Sequence, residues 1–263
     1  MPAAPDTNIA ITLYTLNRHC KTEADLDETM RRVKEIGYRA IQISGIGPIP
    51  VERVAALIDK HGLYVCATHE SLASLKSDMP SVIKKLKAYG CTFTAIGSAG
   101  DAYWSAEGVK TLANELNDIA RTMKNEGIGF GFHNHAAEFH RFTEKTFIAE
   151  LYDNAPDMLG EIDTFWVQHG GGSPAAWIRR LKNRMPVIHF KDMTITRPAK
   201  GVKAEIHDCA IGEGNLDWPD IIAACRESNV RWFVVEQEDF TAEDDIFAAA
   251  KASFENMKKM GIR

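Results

Sequence analysis

The stretch "AEGVKTLANELNDIARTMKNEGIGFGFHNH", residues 106–135, contains the unit from which the chain is built. Its first part is amphipathic at helical spacing and stops at a glycine, a common helix terminator. Its second part is a short apolar run that reads as a strand and ends abruptly in His133, Asn134 and His135. Helix, glycine and strand within ~30 residues is the period of a βαβ unit, which implies parallel strands.

The same rhythm runs along the whole chain. Strand-like segments occupy residues 9–16, 38–44, 63–69, 92–98, 128–134, 158–163, 186–191 and 232–237. Helical patterns lie between them. In "EADLDETMRRVKEIG", Leu26, Met30 and Val33 form one stripe before Gly37, and "VERVAALIDKHG" stops in the same way at Gly62. "SDMPSVIKKLKAYG", "TEKTFIAELYDN", "SPAAWIRRLKNR", "DWPDIIAACRES" and "AEDDIFAAAKASFENMKKMG" supply the rest. Eight strand–helix pairs predict an α/β fold, the (β/α)8 TIM barrel, as a single domain over residues 1–263. A doubly wound open sheet is the competing arrangement, because periodicity does not report closure. Its nucleotide-binding form requires a GxGxxG turn after the first strand, and none is there.

Composition narrows the function classes. With 45% apolar and 25% charged residues, the 263-residue chain can bury a full core. A net charge of −5 argues against a nucleic-acid or anionic-membrane surface. No apolar run approaches the ~20 residues needed to cross a bilayer. The opening "MPAAPDTNIA" has neither the basic patch nor the apolar core of a signal peptide, so a cytoplasmic location is expected. The five cysteines are scattered without a CxxC pair; Cys66 and Cys225 read as core residues, and no spacing supports a catalytic thiol.

In such a barrel the chemistry belongs where strands end and βα loops begin. Strand three ends at His69 and Glu70, and strand five at His133 and His135 with Glu138 in the loop. Strand six ends at Glu161 and Asp163, strand seven at His189, Lys191 and Asp192, and strand eight at Glu236 and Glu238. Strands one and four end blandly. Residues two apart share a strand face, which pairs His133 with His135 and Glu161 with Asp163. A mixed imidazole and carboxylate set suits one divalent ion such as Mn2+, Co2+, Zn2+ or Mg2+. Each residue also has an ordinary reading: Asp163 as a helix N-cap, Lys191 and Asp192 as a mutual pair, Glu236 and Glu238 as solvated charges. Four strands ending this way on one rim outweigh those single readings.

"GFHNHAAEF", "GEIDTFWVQHGG", "VIHFKDM", "IGEGNLDW" and "FVVEQ" together resemble the sugar phosphate isomerase/epimerase superfamily, the xylose isomerase-like barrels. That superfamily includes ketose 3-epimerases, inosose dehydratases, 3-dehydroshikimate dehydratases and zinc-dependent apurinic endonucleases. The resemblance implies one divalent metal at the C-terminal mouth, held by Asp163, His189 and Glu236. The strand-five ligand, usually a glutamate directly after the strand, falls on His133, with Glu138 as the alternative.

The activity so implied is that of a metal-dependent isomerase or epimerase. It would act on a keto-sugar or related polyol ketone by proton abstraction alpha to the carbonyl, through a metal-stabilised enediolate. Glu236, His135 and Glu138 would be catalytic, and His69, Trp166 and Lys191 would contact the substrate. A dehydratase or keto-glycoside lyase shares the first half-reaction and is the alternative; a non-catalytic sugar-binding barrel is the second. The nuclease branch is disfavoured, since it needs a histidine where Trp166 stands. Paired assemblies among relatives imply a homo-oligomer. "HGGGSP", residues 169–174, reads as a flexible loop before the sixth helix, because a phosphate cradle there lacks a basic partner.

Overall fold

Each apolar run expected as a strand contributes one to the main sheet. The computed structural model describes residues 5–238 and 246–263. Its strands are β1 Ile9–Thr12, β2 Ala40–Ile43, β3 Tyr64–His69, β4 Phe93–Ile96, β5 Gly129–His133, β6 Leu159–Glu161, β7 Val187–Phe190, β8 Asp192–Thr196, β9 Glu205–Cys209 and β10 Trp232–Val235. Eight of them form one sheet in the order β6-β5-β4-β3-β2-β1-β10-β7, parallel at every pairing. A bridge between Asp163 and His189 joins the two outer strands. There the His189 amide donates to the Ile162 carbonyl at 2.9 Å, and the Gly160 amide to the Arg184 carbonyl at 2.7 Å. The result is a nearly closed TIM barrel.

The surrounding helices are α1 Glu23–Ile36, α2 Val51–His61, α3 Leu72–Ser77, α4 Met79–Ala88, α5 Ala106–Asn125, α6 Phe147–Asn154, α7 Thr164–His169, α8 Pro174–Arg180, α9 Trp218–Glu227 and α10 Ile246–Lys259. Their ends follow local chemistry. Thr22 and Asp25 form a reciprocal capping box at the start of α1, and Gly62 closes α2 in the left-handed conformation. Residues 242–245, the expected start of the eighth helix, lie outside the described residues.

Three elements depart from expectation. Helices α3 and α7 have six residues each, too few for a 3.6-residue period to register, and are nucleated by the side-chain caps Ser71 and Asp163. The third departure is the antiparallel hairpin β8–β9, inserted after the seventh barrel strand.

Inside the cylinder the lower half is filled by Ala10, Ala40, Ala67, Ala95, Val187, Val234, Phe93 and Trp232, with Tyr64 stacked on Trp232 at 5.2 Å. The β2–β3 register slips between Ile41 and Gln42, so that Ile41 pairs with Val65 but Gln42 with Ala67. This bulge resets the alternation. Tyr64 and Cys66 below it and Ala67 above it all join the interior cluster, and His69 follows Ala67 inward. Polar side chains therefore begin where the apolar plug stops, at the C-terminal ends of the strands.

Candidate metal centre

His133 ends β5, Asp163 lies two residues beyond β6, His189 is inside β7, and Glu236 directly follows β10. All four are buried, and each offers one donor atom within 4.8 Å of the others. The His133 Nε2 to Asp163 Oδ2 distance is 3.8 Å, and His189 Nδ1 to Glu236 Oε2 is 2.8 Å. Donors bound about 2.0–2.2 Å from one ion stand ~3–4 Å apart, close to these two distances.

The state of these atoms tests the fit. Both His133 nitrogens and Asp163 Oδ2 are buried without a hydrogen-bond partner, and His189 Nδ1 meets only the Glu236 carboxylate. Leaving such an atom unpaired costs about 1–3 kcal/mol, so a group of them in one place needs a compensating charge. Two carboxylates balance a divalent ion. Burial pushes His133 down to about 4, and the neighbouring His189 adds to the effect, which keeps the ring in the neutral form that ligates metals. The residues fit a divalent ion.

Asp163 is the N-cap that its ordinary reading predicts, and its second oxygen is left over. Oδ1 accepts the Trp166 amide at 2.8 Å and caps α7, while Oδ2 faces the cluster. The Asn134 side-chain oxygen accepts the Asp163 amide at 3.1 Å and holds it in place. Burial opposes ionisation of Glu236, but His189 beside it outweighs burial and keeps this carboxyl well below the usual range. Lys191 Nζ lies 2.9 Å from Glu238 Oε1 and 3.8 Å from Glu236 Oε1. It also sits 4.8 Å above the Trp166 ring. Burial, against the pull of Lys191, pushes Glu238 up to about 7.

Other expected site residues are placed differently. Glu138 is not in the four-residue group. Its Oε2 accepts the His135 amide at 2.8 Å, and it lines a cavity of about 210 Å3 together with Trp104, Phe132 and Phe147. The His135 ring stands 5.0 Å from that of His133 and 5.4 Å from Trp166, which places it on the rim. His69 has both nitrogens engaged, Nε2 with Glu161 Oε2 at 2.5 Å and Nδ1 with Ser44 Oγ at 3.2 Å. Lys191 and Asp192 do not pair: Asp192 accepts backbone amides of the following loop. Arg141, Lys145 and Arg180 line the cavity beside Gly170–Gly172, contrary to the expectation of no basic neighbour. Lys145 and Arg180 are already paired with Asp153. Close approach of Phe139, 2.5 Å from any added Cβ on Gly170, accounts for a glycine there.

One buried residue behind the cluster, Gln42, escaped the reading of strand ends. Gln42 Nε2 donates to Glu161 Oε1 at 3.0 Å, and Gln42 Oε1 lies 2.6 Å from His189 Nε2. The available signal was a lone glutamine inside the apolar strand "AIQI". The cysteine reading agrees with burial, which pushes Cys20 and Cys91 up to about 12 and Cys66 well above its usual value.

The family model described as xylose isomerase-like TIM barrel matches residues 30–260. The chain belongs to that family. A sugar phosphate isomerase/epimerase from Parabacteroides distasonis superposes on this xylose isomerase-like chain with a TM-score of 0.78 at 20% identity, covering 98% of this chain and 96% of that one. The rhizopine catabolism protein MocC of Rhizobium meliloti is 20% identical over 90% of this chain and 82% of its own. An inosose dehydratase of Clostridium beijerinckii is 25% identical over 61% of this chain and 57% of its own. Among the described residues of this xylose isomerase-like chain, no helix is long and apolar enough to cross a membrane.

Proposed function

We propose that this barrel is a divalent-metal-dependent enzyme that removes the proton next to the carbonyl of a keto-sugar or polyol ketone and returns it to give an isomer or epimer. The observation that carries this reading is the convergence of His133, Asp163, His189 and Glu236, with the His133 nitrogens and Asp163 Oδ2 buried and without a protein partner. A divalent ion held there would supply Lewis-acid polarisation of the carbonyl.

The chain's own groups do the rest. Glu236 is ionised and is the base; its Oε2 belongs to the cluster, which leaves Oε1, on the Lys191 side, to take the proton. Lys191 holds an ammonium beside that oxygen and donates to a substrate oxygen. His135 on the rim returns a proton from the other side, and Glu138 fixes its backbone. Trp166, next to His135, forms an apolar wall for the carbon skeleton.

Dehydration is the second reading. The carboxylate of Glu138 is turned away from the cluster, so the acid opposite Glu236 is the imidazole of His135. That group is suited to protonating a departing hydroxyl, and one relative is named an inosose dehydratase. Incubation with Mn2+ in D2O, using a panel of ketoses and an inosose, tests both. Deuterium should appear beside the carbonyl, and Asp163→Asn and Glu236→Gln should each lower the exchange at least ~100-fold. Loss of water from the labelled compound would select dehydration. Undiminished exchange in both variants would overturn the reading.

A further inference from the structure

Behind the candidate metal centre a single line of hydrogen bonds runs across the barrel. Ser44 Oγ meets His69 Nδ1 at 3.2 Å, and His69 Nε2 meets Glu161 Oε2 at 2.5 Å. Gln42 Nε2 donates to Glu161 Oε1 at 3.0 Å, and Gln42 Oε1 lies 2.6 Å from His189 Nε2. His69, Glu161 and His189 also come within 4.8 Å of one another, so spacing alone would make them a second cation site. Their occupancy says otherwise. Neither oxygen of Glu161, neither nitrogen of His69 and neither end of the Gln42 amide is among the unpartnered buried atoms, whereas both His133 nitrogens and Asp163 Oδ2 are. Protons join the second group; an ion suits the first.

We propose that Glu161 and Gln42 are positioning residues that fix the tautomer of His189, and so decide which of its nitrogens is offered to the ion. This rests on the metal-dependent reading above. The donor and acceptor inventory requires it. A carboxylate only accepts, so Glu161 turns the NH2 of Gln42 toward itself. The carbonyl of Gln42 must then face His189, and a carbonyl also only accepts, so Nε2 carries the hydrogen. When an ion takes the place of the proton that Nδ1 shares with Glu236 Oε2 at 2.8 Å, the lone pair of the ring is left on Nδ1. Turning the amide over would set carbonyl against carboxylate, a repulsive contact in a buried site whichever tautomer His189 adopts. His69 in turn secures Glu161 through its second oxygen. Partners of this kind behind a ligating histidine orient the ring and raise its basicity.

The test is Zn2+ affinity by titration calorimetry, with nitrogen-15 histidine spectra of the zinc-loaded protein. Gln42→Leu and Glu161→Leu should each weaken Zn2+ binding about 10–100-fold. Glu161→Gln should bind close to the parent, because its carbonyl still accepts from Gln42 and keeps the amide in the same sense. The double leucine variant should be close to Gln42→Leu alone, since Glu161 acts mainly through Gln42, its own Oε1 lying 3.5 Å from His189 Nε2. Spectra of the parent should show His189 ligated at Nδ1 and protonated at Nε2. If Glu161→Gln is as weak as Glu161→Leu, charge and not orientation is at work, and the proposal falls. It also falls if the folded leucine variants bind like the parent, or if Nε2 is the ligated atom. Should a leucine variant fail to fold, the ligated nitrogen in the parent spectrum decides by itself. A parent that binds neither Zn2+ nor Mn2+ would overturn both this proposal and the functional reading beneath it; normal parent binding with unaffected variants would overturn this one alone.

Discussion

At Asp163 the two carboxylate oxygens face different ways, one to the Trp166 amide in the first turn of α7 and the other to His133 in the candidate metal cluster. Substitution separates the two tasks. Asparagine retains an oxygen for the cap, and alanine does not. In EDTA, Asp163→Asn should therefore keep nearly the parental midpoint in urea, while Asp163→Ala should lose about 0.5–2 kcal/mol. Both should bind a divalent ion far more weakly. Equal destabilisation of the two variants in EDTA would show that the cap contributes nothing. The sequence reading left cap and ligand as rivals at this position, and the geometry accommodates both. Gln42 was illegible for a different reason. Its partners, Glu161 and His189, are 119 and 147 positions away, and no local spacing encodes such a pairing. Glu138 lies only five positions beyond His133, yet the short turn Ala137–Phe139 carries its carboxylate back to the His135 amide.

Among the elements, the loop after β9 shows why a buried acid on a strand end need not be a ligand. Asp192 Oδ1 accepts the Met193 amide at 2.8 Å and faces Leu216 at 3.4 Å. Its Oδ2 accepts Gly212 at 2.8 Å, Gly214 at 3.0 Å and the Trp218 indole N–H at 2.7 Å. This one carboxylate organises the "IGEGNLDW" segment, and a Cβ on Gly214 would collide with it. In Asp192→Asn an NH2 would face one of the two sets of donors. The expected cost is about 2–3 kcal/mol in urea denaturation, with new protease cleavage near residues 211–216. A neutral outcome would mean that the loop is held by its own backbone. The "IGEGNLDW" motif was visible in the sequence, but its anchor was not: for Asp192 the sequence offered a place on the strand-seven rim or, as the ordinary alternative, a pair with Lys191, its neighbour in sequence. On a strand such neighbours point to opposite faces. The β3 bulge is a similar case: simple alternation from Tyr64 would put Thr68 inside and His69 outside, and one extra residue reverses this.

For the whole molecule, the barrel rhythm was readable because eight strand–helix units repeat one pattern, whereas closure had to be assumed. The structure shows how thin that closure is. Strands β6 and β7 meet through the Asp163–His189 bridge and a few flanking backbone hydrogen bonds. The candidate ligands come from the strands on both sides of this seam and from β5 and β10 beyond them. An ion held there would tie the barrel shut at its least paired edge, so chelation should act on the seam first. Saturation at 100 times the dissociation constant is worth about 2.7 kcal/mol. In a domain of this size that corresponds to a melting temperature ~5–10 °C lower after EDTA treatment. Hydrogen exchange should locate the loss. The His189 and Gly160 amides, which cross the seam, should exchange faster on chelation, while the β2–β3 ladder on the far side should keep its protection. A chelated protein with an unshifted melting temperature, or with protection lost evenly around the sheet, would show that the ion serves only substrate and not closure.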